Sequence, residues 1–353
     1  MRVLEIKSIE QTIRTITFNF KGVEDIYPDG ELKVKYSKNV SKVQEGTLVN
    51  MLLSMILPLL VRIDNEITLK TKLKVDKHTK KYWTTFLTKL QKHPKKIKLT
   101  IDAPIEESTE IIHNKINASR VGLFYGGGVE GLYSLGSLLE INPILLVYEG
   151  TDWMNQRTNK SDAIKNKLLN RVVKKYKLDL YKIDINIMER YIKNSPATIN
   201  HFVTGPMFYF LTLPISKEKN INILFWGQEH NDIVPYHDAQ KIWDYSLSAQ
   251  IMNWIGYSKA PIVKNIGGYA YKCSLFKDLY TLRPDLFEYI YSCLSNMEGK
   301  RWCGRCDKCQ RIAYYCEVFN IDKNLIGLSS EVSSKGITDK YKIPVDKFKE
   351  RLK

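Results

Sequence analysis

Four of the six cysteines fall within residues 293–309, in the stretch SCLSNMEGKRWCGRCDKCQR. They are Cys293, Cys303, Cys306 and Cys309, a C-x-x-C-x-x-C run preceded by a fourth cysteine. Clustering of this kind in a chain without a disulfide framework points to a metal. Four thiolates close a tetrahedral zinc site and leave no position for water, so the ion would be structural. Gly304 suits a tight turn, and Arg305 and Lys308 offset thiolate charge. An iron–sulfur cluster is the competing occupant, and four unliganded thiols the remaining one. Cys273 and Cys316 sit in apolar helical contexts and read as core residues.

A second stretch, VGLFYGGGVEG at 121–131, runs a short apolar strand into three glycines. Gly126, Gly127 and Gly128 let the backbone approach an anion closely. Their N–H groups and the start of the following helix make a phosphate site. The spacing fits neither G-x-G-x-x-G nor a Walker loop, which needs Gly-Lys-Ser/Thr. A tight strand–helix connection with no ligand is the plain structural alternative. A third stretch, WGQEHNDIVPYHDAQKIWDYS at 226–246, is dense in groups that do chemistry: Glu229, His230, Asp232, Tyr236, His237 and Asp238. At the carboxyl end of a strand such a loop reads as substrate binding. Surface polarity and helix capping compete for each residue singly, and His230 and His237 receive no role.

The glycine turn resembles the pyrophosphate loop of the ATP pyrophosphatase (PP-loop) superfamily, whose pattern is Ser-Gly-Gly-x-Asp-Ser. Gly127 and Gly128 match its glycines, Gly126 and Gly131 stand at its serines, and Glu130 replaces its aspartate. The resemblance implies ATP held along Leu123, Phe124, Tyr125, Gly126, Gly127, Gly128, Val129, Glu130 and Gly131. It implies cleavage between the α- and β-phosphates, adenylation of a substrate carboxylate and release of pyrophosphate. It also implies Mg²⁺ on the phosphates, with Glu130 as the candidate to position it. The two lost hydroxyls each remove a charged hydrogen bond, roughly 1.5–3 kcal/mol apiece.

The cysteine run is similar to the zinc knot of 7-cyano-7-deazaguanine synthases. It is similar also to the end of the ATP-dependent epimerase that inverts the terminal glutamate of UDP-muramoyl-dipeptide, Trp-Cys-Gly-x-Cys-x-Lys-Cys, here Trp302, Cys303, Gly304, Cys306, Lys308 and Cys309. Against the synthase pattern Gly227, Asp232, Tyr236 and Asp238 match, while His237 and Ala239 do not. Against the epimerase pattern Gly227, Glu229, Tyr245 and Ser246 match. The resemblance thus makes Glu130 and Asp232 the catalytic candidates and Gly227, Glu229, Tyr236 and Asp238 the substrate-binding ones. It covers roughly residues 115–320. It implies an AMP-forming enzyme that activates a carboxylate for amide or nitrile formation, with an epimerase acting on a glutamyl carboxylate as one alternative. A catalytically degenerate member binding a nucleotide or nucleic acid is the other. A homodimer is compatible with either.

These residues need elements to hold them. From about residue 115 apolar strands alternate with helices: strands at 120–125, 142–150, 178–186 and 220–229, helices at 131–140, 161–177 and 204–216, the last with Pro206 at its first position. Continuous apolar strands in this rhythm imply a doubly wound parallel sheet with helices on both faces, and the resemblance implies that it is of the adenine-nucleotide alpha-hydrolase-like type. Residues 1–112 read as a smaller α+β domain, with strands at 30–38 and 66–75 and helices at 48–61 and 80–92. Residues 113–325 form the ATP-binding domain with its knot, and 326–353 a tail. The 353-residue chain carries a formal charge of +16, and lysine greatly outnumbers arginine. Base reading and bidentate phosphate contacts favour arginine, so solvated strand and helix faces explain the lysines better than nucleic acid does. The start MRVLEIKSIEQ lacks the apolar stretch of a signal peptide, and the run at 48–61 is too short to span a bilayer. A cytoplasmic protein with no membrane partner is expected.

Overall fold

The structure is a computed structural model and describes residues 1–90, 98–106, 120–149, 159–185, 200–227, 261–267, 270–293 and 300–341. Its frame is a ten-stranded mixed sheet. Five strands of the sheet are mutually parallel: β8 (Arg120–Phe124), β9 (Ile144–Glu149), β10 (Leu180–Ile185), β11 (Ile221–Gly227) and β12 (Ile262–Ile266). They lie in the order β12-β11-β8-β9-β10. The first of the five is therefore central, and later strands leave it in both directions. In open α/β sheets ligands bind beyond the carboxyl ends where such an order reverses, a point that falls here between β8 and β11.

Residues 1–106 build the rest of the same sheet, with β1 (Arg2–Gln11), β2 (Thr15–Lys21), β3 (Glu31–Tyr36), β4 (Glu66–Lys70) and β6 (Lys98–Asp102). Antiparallel pairing of β3 with β10, Tyr36 opposite Ile183 and Val34 opposite Ile185, joins the two parts. In β3 the alternation works as the period predicts: Leu32, Val34 and Tyr36 are buried and Lys33 and Lys35 exposed. A short pair, β5 (Val75–Asp76) and β7 (Ile105–Glu106), stands apart.

Helices cover the sheet with two hydrophobic cores. One core joins α1 (Glu45–Ile63), α2 (Thr79–Leu90) and α5 (Asn200–Lys219) to β1–β4 and to Phe124, Ile144, Leu146, Tyr148 and Ile183. The other joins α3 (Val129–Leu138), α4 (Asn159–Tyr176), α6 (Lys272–Leu282), α7 (Pro284–Phe287) and α8 (Asp307–Phe319) to Leu123, Tyr125, Leu145 and Val147. Alternate residues of β8 and β9 thus feed opposite cores, which explains why these strands are apolar throughout. A final helix, α9 (Lys335–Tyr341), packs against α8.

Helix α1 is buried from Met51 to Leu60 despite Pro58. Its buried Asn50 accepts from Trp83 Nε1 at 2.9 Å and donates to Gly46 O and Thr79 Oγ1, so no polar cost remains there. Pro206 lies inside α5 rather than at its first position, which corrects the expectation above. Pro214 lies inside it as well, and each proline inside a helix costs about 3 kcal/mol. Burial of Met207, Tyr209, Phe210, Leu211, Leu213 and Ile215 outweighs that, at roughly 1.5–3 kcal/mol for each large side chain. Among the described residues no helix is long and apolar enough to cross a membrane.

Candidate functional site

The four knot cysteines converge. Cys293 ends the extended stretch after α7, Cys303 opens a turn in which Gly304 has φ +76°, Cys306 caps α8 and Cys309 lies in its first turn. Their ligand atoms all lie within 4.8 Å of one another. The Cys303 and Cys309 sulfurs are 3.8 Å apart and those of Cys306 and Cys309 3.4 Å. Backbone N–H groups of Cys303 and Cys306 each donate to the sulfur of the preceding ligand, Cys293 and Cys303, at 3.3 Å. Such N–H donors and a helix N-terminus both favour sulfur as thiolate. Thiol crowding opposes ionisation: contact with Cys306 pushes the Cys293 thiol up to about 12, and contacts with Cys293 and Cys306 push Cys309 higher. A divalent cation at the centre reverses that balance. Four cysteines this close could hold a metal such as zinc.

The glycine turn is the second part. It follows β8 and enters α3, whose cap is Gly128, with the end of β11 packed against the first turn of the helix. Gly127 has φ +77°, the left-handed region that disfavours a side chain. Among the described residues no heavy atom beyond the chain neighbours comes within 4 Å of where a Cβ on Gly126 or Gly127 would stand. Gly131 faces inward, its Cβ position 3.4 Å from the Gly126 nitrogen. Leu123, Tyr125 and Val129 are fully or largely buried in one core and Phe124 in the other, so these side chains support the turn from behind.

Gly227, read in the sequence as substrate-binding, ends β11 against the first turn of α3. A Cβ there would stand 2.7 Å from the Glu130 carbonyl oxygen and 2.8 Å from Ser134 Oγ. Only glycine lets strand and helix meet so closely. The Glu130 carboxylate folds back over Gly128, with Oε2 2.8 Å from that residue's Cβ position. It forms an ion pair with Lys272 at the start of α6. Lys272 is 7% exposed. Burial holds its ammonium well below the ordinary lysine range, like charge from Lys308 and Arg311 adds to the effect, and the Glu130 contact pulls the other way.

The two parts touch. Tyr291 N donates to Gly127 O at 2.9 Å, two residues before Cys293. Ser292 Oγ lies 3.4 Å from the Cβ position of Gly128. Arg301, beside the knot, donates to the carbonyls of Glu288 and Ile290 and fastens the same segment. The sequence alone did not single out Lys272, Arg311, Tyr291 or Ser292 as site residues. A lysine that opens an amphipathic helix carries no mark of burial, and Tyr291 acts through its backbone. Glu229, Asp232, Tyr236 and Asp238 lie outside the described residues, as do His230, His237, Tyr245 and Ser246. Comparison of the chain with protein-family models, with curated proteins and with solved structures returned no match.

Proposed function

We propose that the chain binds ATP with its phosphates on the glycine turn and activates a substrate carboxylate as its acyl-adenylate, releasing pyrophosphate. The supporting observation is the place of the turn. Among the described residues it is open at Gly126 and Gly127, it leads into the N-terminus of α3, and it lies at the carboxyl end of the central strand where the strand order reverses. The order β12-β11-β8-β9-β10 agrees with a doubly wound nucleotide-binding sheet. In this reading the N–H groups of Gly126–Gly128 hold phosphate oxygens, and the positive end of α3 stabilises charge on the departing pyrophosphate. Zinc is the proposed metal of the knot. A tetrahedral zinc with Zn–S near 2.3 Å sets its sulfurs roughly 3.8 Å apart, which agrees with the spacing of Cys303 and Cys309. A cluster of several irons, with one thiolate on each, needs a wider set. Zinc in four thiolates takes no part in the chemistry.

One observation favours a second reading, a nucleotide-binding protein without turnover. The Glu130 carboxylate is engaged by Lys272, and that ion pair must open before Glu130 can reach Mg²⁺. A crystal soak with a non-hydrolysable ATP analogue and Mg²⁺ tests the common part. Phosphates on residues 126–131 are the expected result, and an occupied analogue elsewhere with a bare turn sinks both readings. Release of pyrophosphate from ATP across a panel of carboxylic acids then separates them. Turnover that disappears in Glu130→Ala supports the enzyme; binding with no AMP from any acid supports the second reading.

A further inference from the structure

The cysteine knot and the glycine turn are not independent features of the fold. Helix α8 starts at the knot, with Cys306 as its cap. It lies beside α6, and Phe276 meets Tyr315 with ring centroids 5.5 Å apart. One turn towards the N-terminus of each helix stand Lys272 and Arg311. Lys308 lies one further turn back on the same face of α8, at the i, i+3, i+7 spacing of 308, 311 and 315. The Phe276–Tyr315 contact and the electrostatic reach of Lys308 and Arg311 to Lys272 together set the basic first turns of the two helices near each other. Lys272 in turn holds Glu130 over Gly128.

A second connection runs through backbone. The segment 288–293 is fastened by Arg301 at Glu288 and Ile290, is anchored by the ligand Cys293, and donates Tyr291 N–H to the Gly127 carbonyl. The Gly127 carbonyl and the Gly128 N–H share one peptide plane, so what holds that carbonyl sets the direction of the Gly128 N–H.

We propose that Lys272, Lys308 and Arg311 complete a polyphosphate site over the glycine turn, and that the metal-bound knot is the clamp that holds this site in shape. The proposal rests on the phosphate-turn reading above and adds its cationic side and its control. The metal fixes the start of α8, which carries Lys308 and Arg311, and fixes Cys293, whose segment holds Gly127. Coupling between two ligands is reciprocal in free energy. Polyphosphate must therefore tighten the grip on the metal as much as the metal tightens the grip on polyphosphate.

The test uses the full chain loaded with zinc and inorganic pyrophosphate as the probe. Transfer of zinc to a colorimetric chelator is timed with and without saturating pyrophosphate. Pyrophosphate is expected to slow transfer by about fivefold or more, within the usual span of allosteric coupling. Competition of pyrophosphate with the chelator for released zinc is measured on free zinc and subtracted. Calorimetric titration is expected to show about tenfold weaker pyrophosphate binding in Lys308→Ala and in Arg311→Ala at unchanged zinc content, equal to 1.4 kcal/mol. Arg311→Lys is expected to recover part of the loss. Tyr291→Pro, which removes the N–H donor to Gly127 together with the buried ring, is expected to abolish the slowing at wild-type zinc content, whereas Tyr291→Phe, which keeps the donor and the ring, is expected to retain it. Pyrophosphate that binds without changing zinc transfer overturns the coupling and leaves the phosphate turn standing. Unchanged affinity in both α8 variants overturns the assignment of Lys308 and Arg311. No binding of pyrophosphate to the zinc-loaded wild type overturns this proposal together with the reading beneath it.

Discussion

At the scale of single residues the glycine turn makes opposite demands at neighbouring positions. Gly126 has open space at its Cβ position, and its φ is not in the left-handed region. Gly126→Ser therefore fits, and it restores a hydroxyl beside the proposed phosphates. Titration with an ATP analogue should give about tenfold tighter binding, the lower end of a charged hydrogen bond's contribution. Gly127 at φ +77° has space but the wrong backbone for a branched side chain. Gly127→Val should abolish binding while circular dichroism stays near wild type. Lys272 has a different part. Lys272→Met leaves the Glu130 carboxylate partly buried without its cation. Breaking one side of such a pair costs about 3 kcal/mol, to be read as a lower urea midpoint. A midpoint equal to that of wild type would show that the pair contributes nothing to the fold.

At the scale of elements, short bridges decide which helices stay together. The knot fixes the N-terminus of α8. Removing its metal, or Cys309→Ser, should lower the thermal midpoint by roughly 5 °C or more, and elemental analysis should give about one zinc per chain before treatment. An unchanged midpoint after chelation would show the cysteines to be dispensable. Helix α7 is tied to α4 by another bridge: Asp285 accepts from Arg283 Nη2 at 2.8 Å and from the Tyr176 hydroxyl at 2.5 Å. The Arg283 contact lowers the Asp285 carboxyl to about 2. A carboxylate with a depressed folded value stabilises above its unfolded value, near 4, and loses that effect as pH falls through its folded value. Acid unfolding followed between about pH 4 and pH 2 should be less steep in Asp285→Asn.

At the scale of the whole molecule, residues 1–106 and the parallel strands share one sheet and one core. Tyr36 donates its hydroxyl to Leu211 O at 3.0 Å, and Tyr82 and Trp83 of α2 meet Phe210 of α5 at 5.6 and 5.8 Å. A fragment of residues 107–353 would expose the buried face of α5 and the β10 edge. It should aggregate on size-exclusion chromatography, and the full chain should unfold in one transition. A monomeric, cooperatively unfolding fragment would contradict this. Lys33, Lys35 and Lys98 on the described strands of residues 1–106 are exposed. Lys33 and Lys98 pair with Glu31 and Glu66 on exposed strand faces, where ion pairs contribute little.

Local rules were enough for much of this. The period-2 pattern of β3, the apolar runs of β8 and β9 and the helical stretches of α1, α3 and α4 are legible because side-chain direction repeats within a few residues. The cysteine set was legible too, since thiol spacing along a turn and one helical turn limits where the sulfurs can go. Other features are decided by residues far apart in the chain, which carry no local mark. Lys272 is an ordinary helix-opening lysine until α3 brings Glu130 to it across 142 positions. Gly227 reads as part of a binding loop until α3 crowds it. The antiparallel seam of β3 with β10 joins two segments whose own patterns each look complete. By itself the sequence determined β3, β4 as the first half of the strand read at 66–75, β8 to β11, the helices α1 to α5 and which thiols could share an ion, and it left β1, β2, β12 and α6 to α9 unmarked. Only the tertiary structure decided that the glycine turn is bonded to the segment bearing Cys293 and faces a buried ion pair, because those contacts depend on packing between elements rather than on spacing within them.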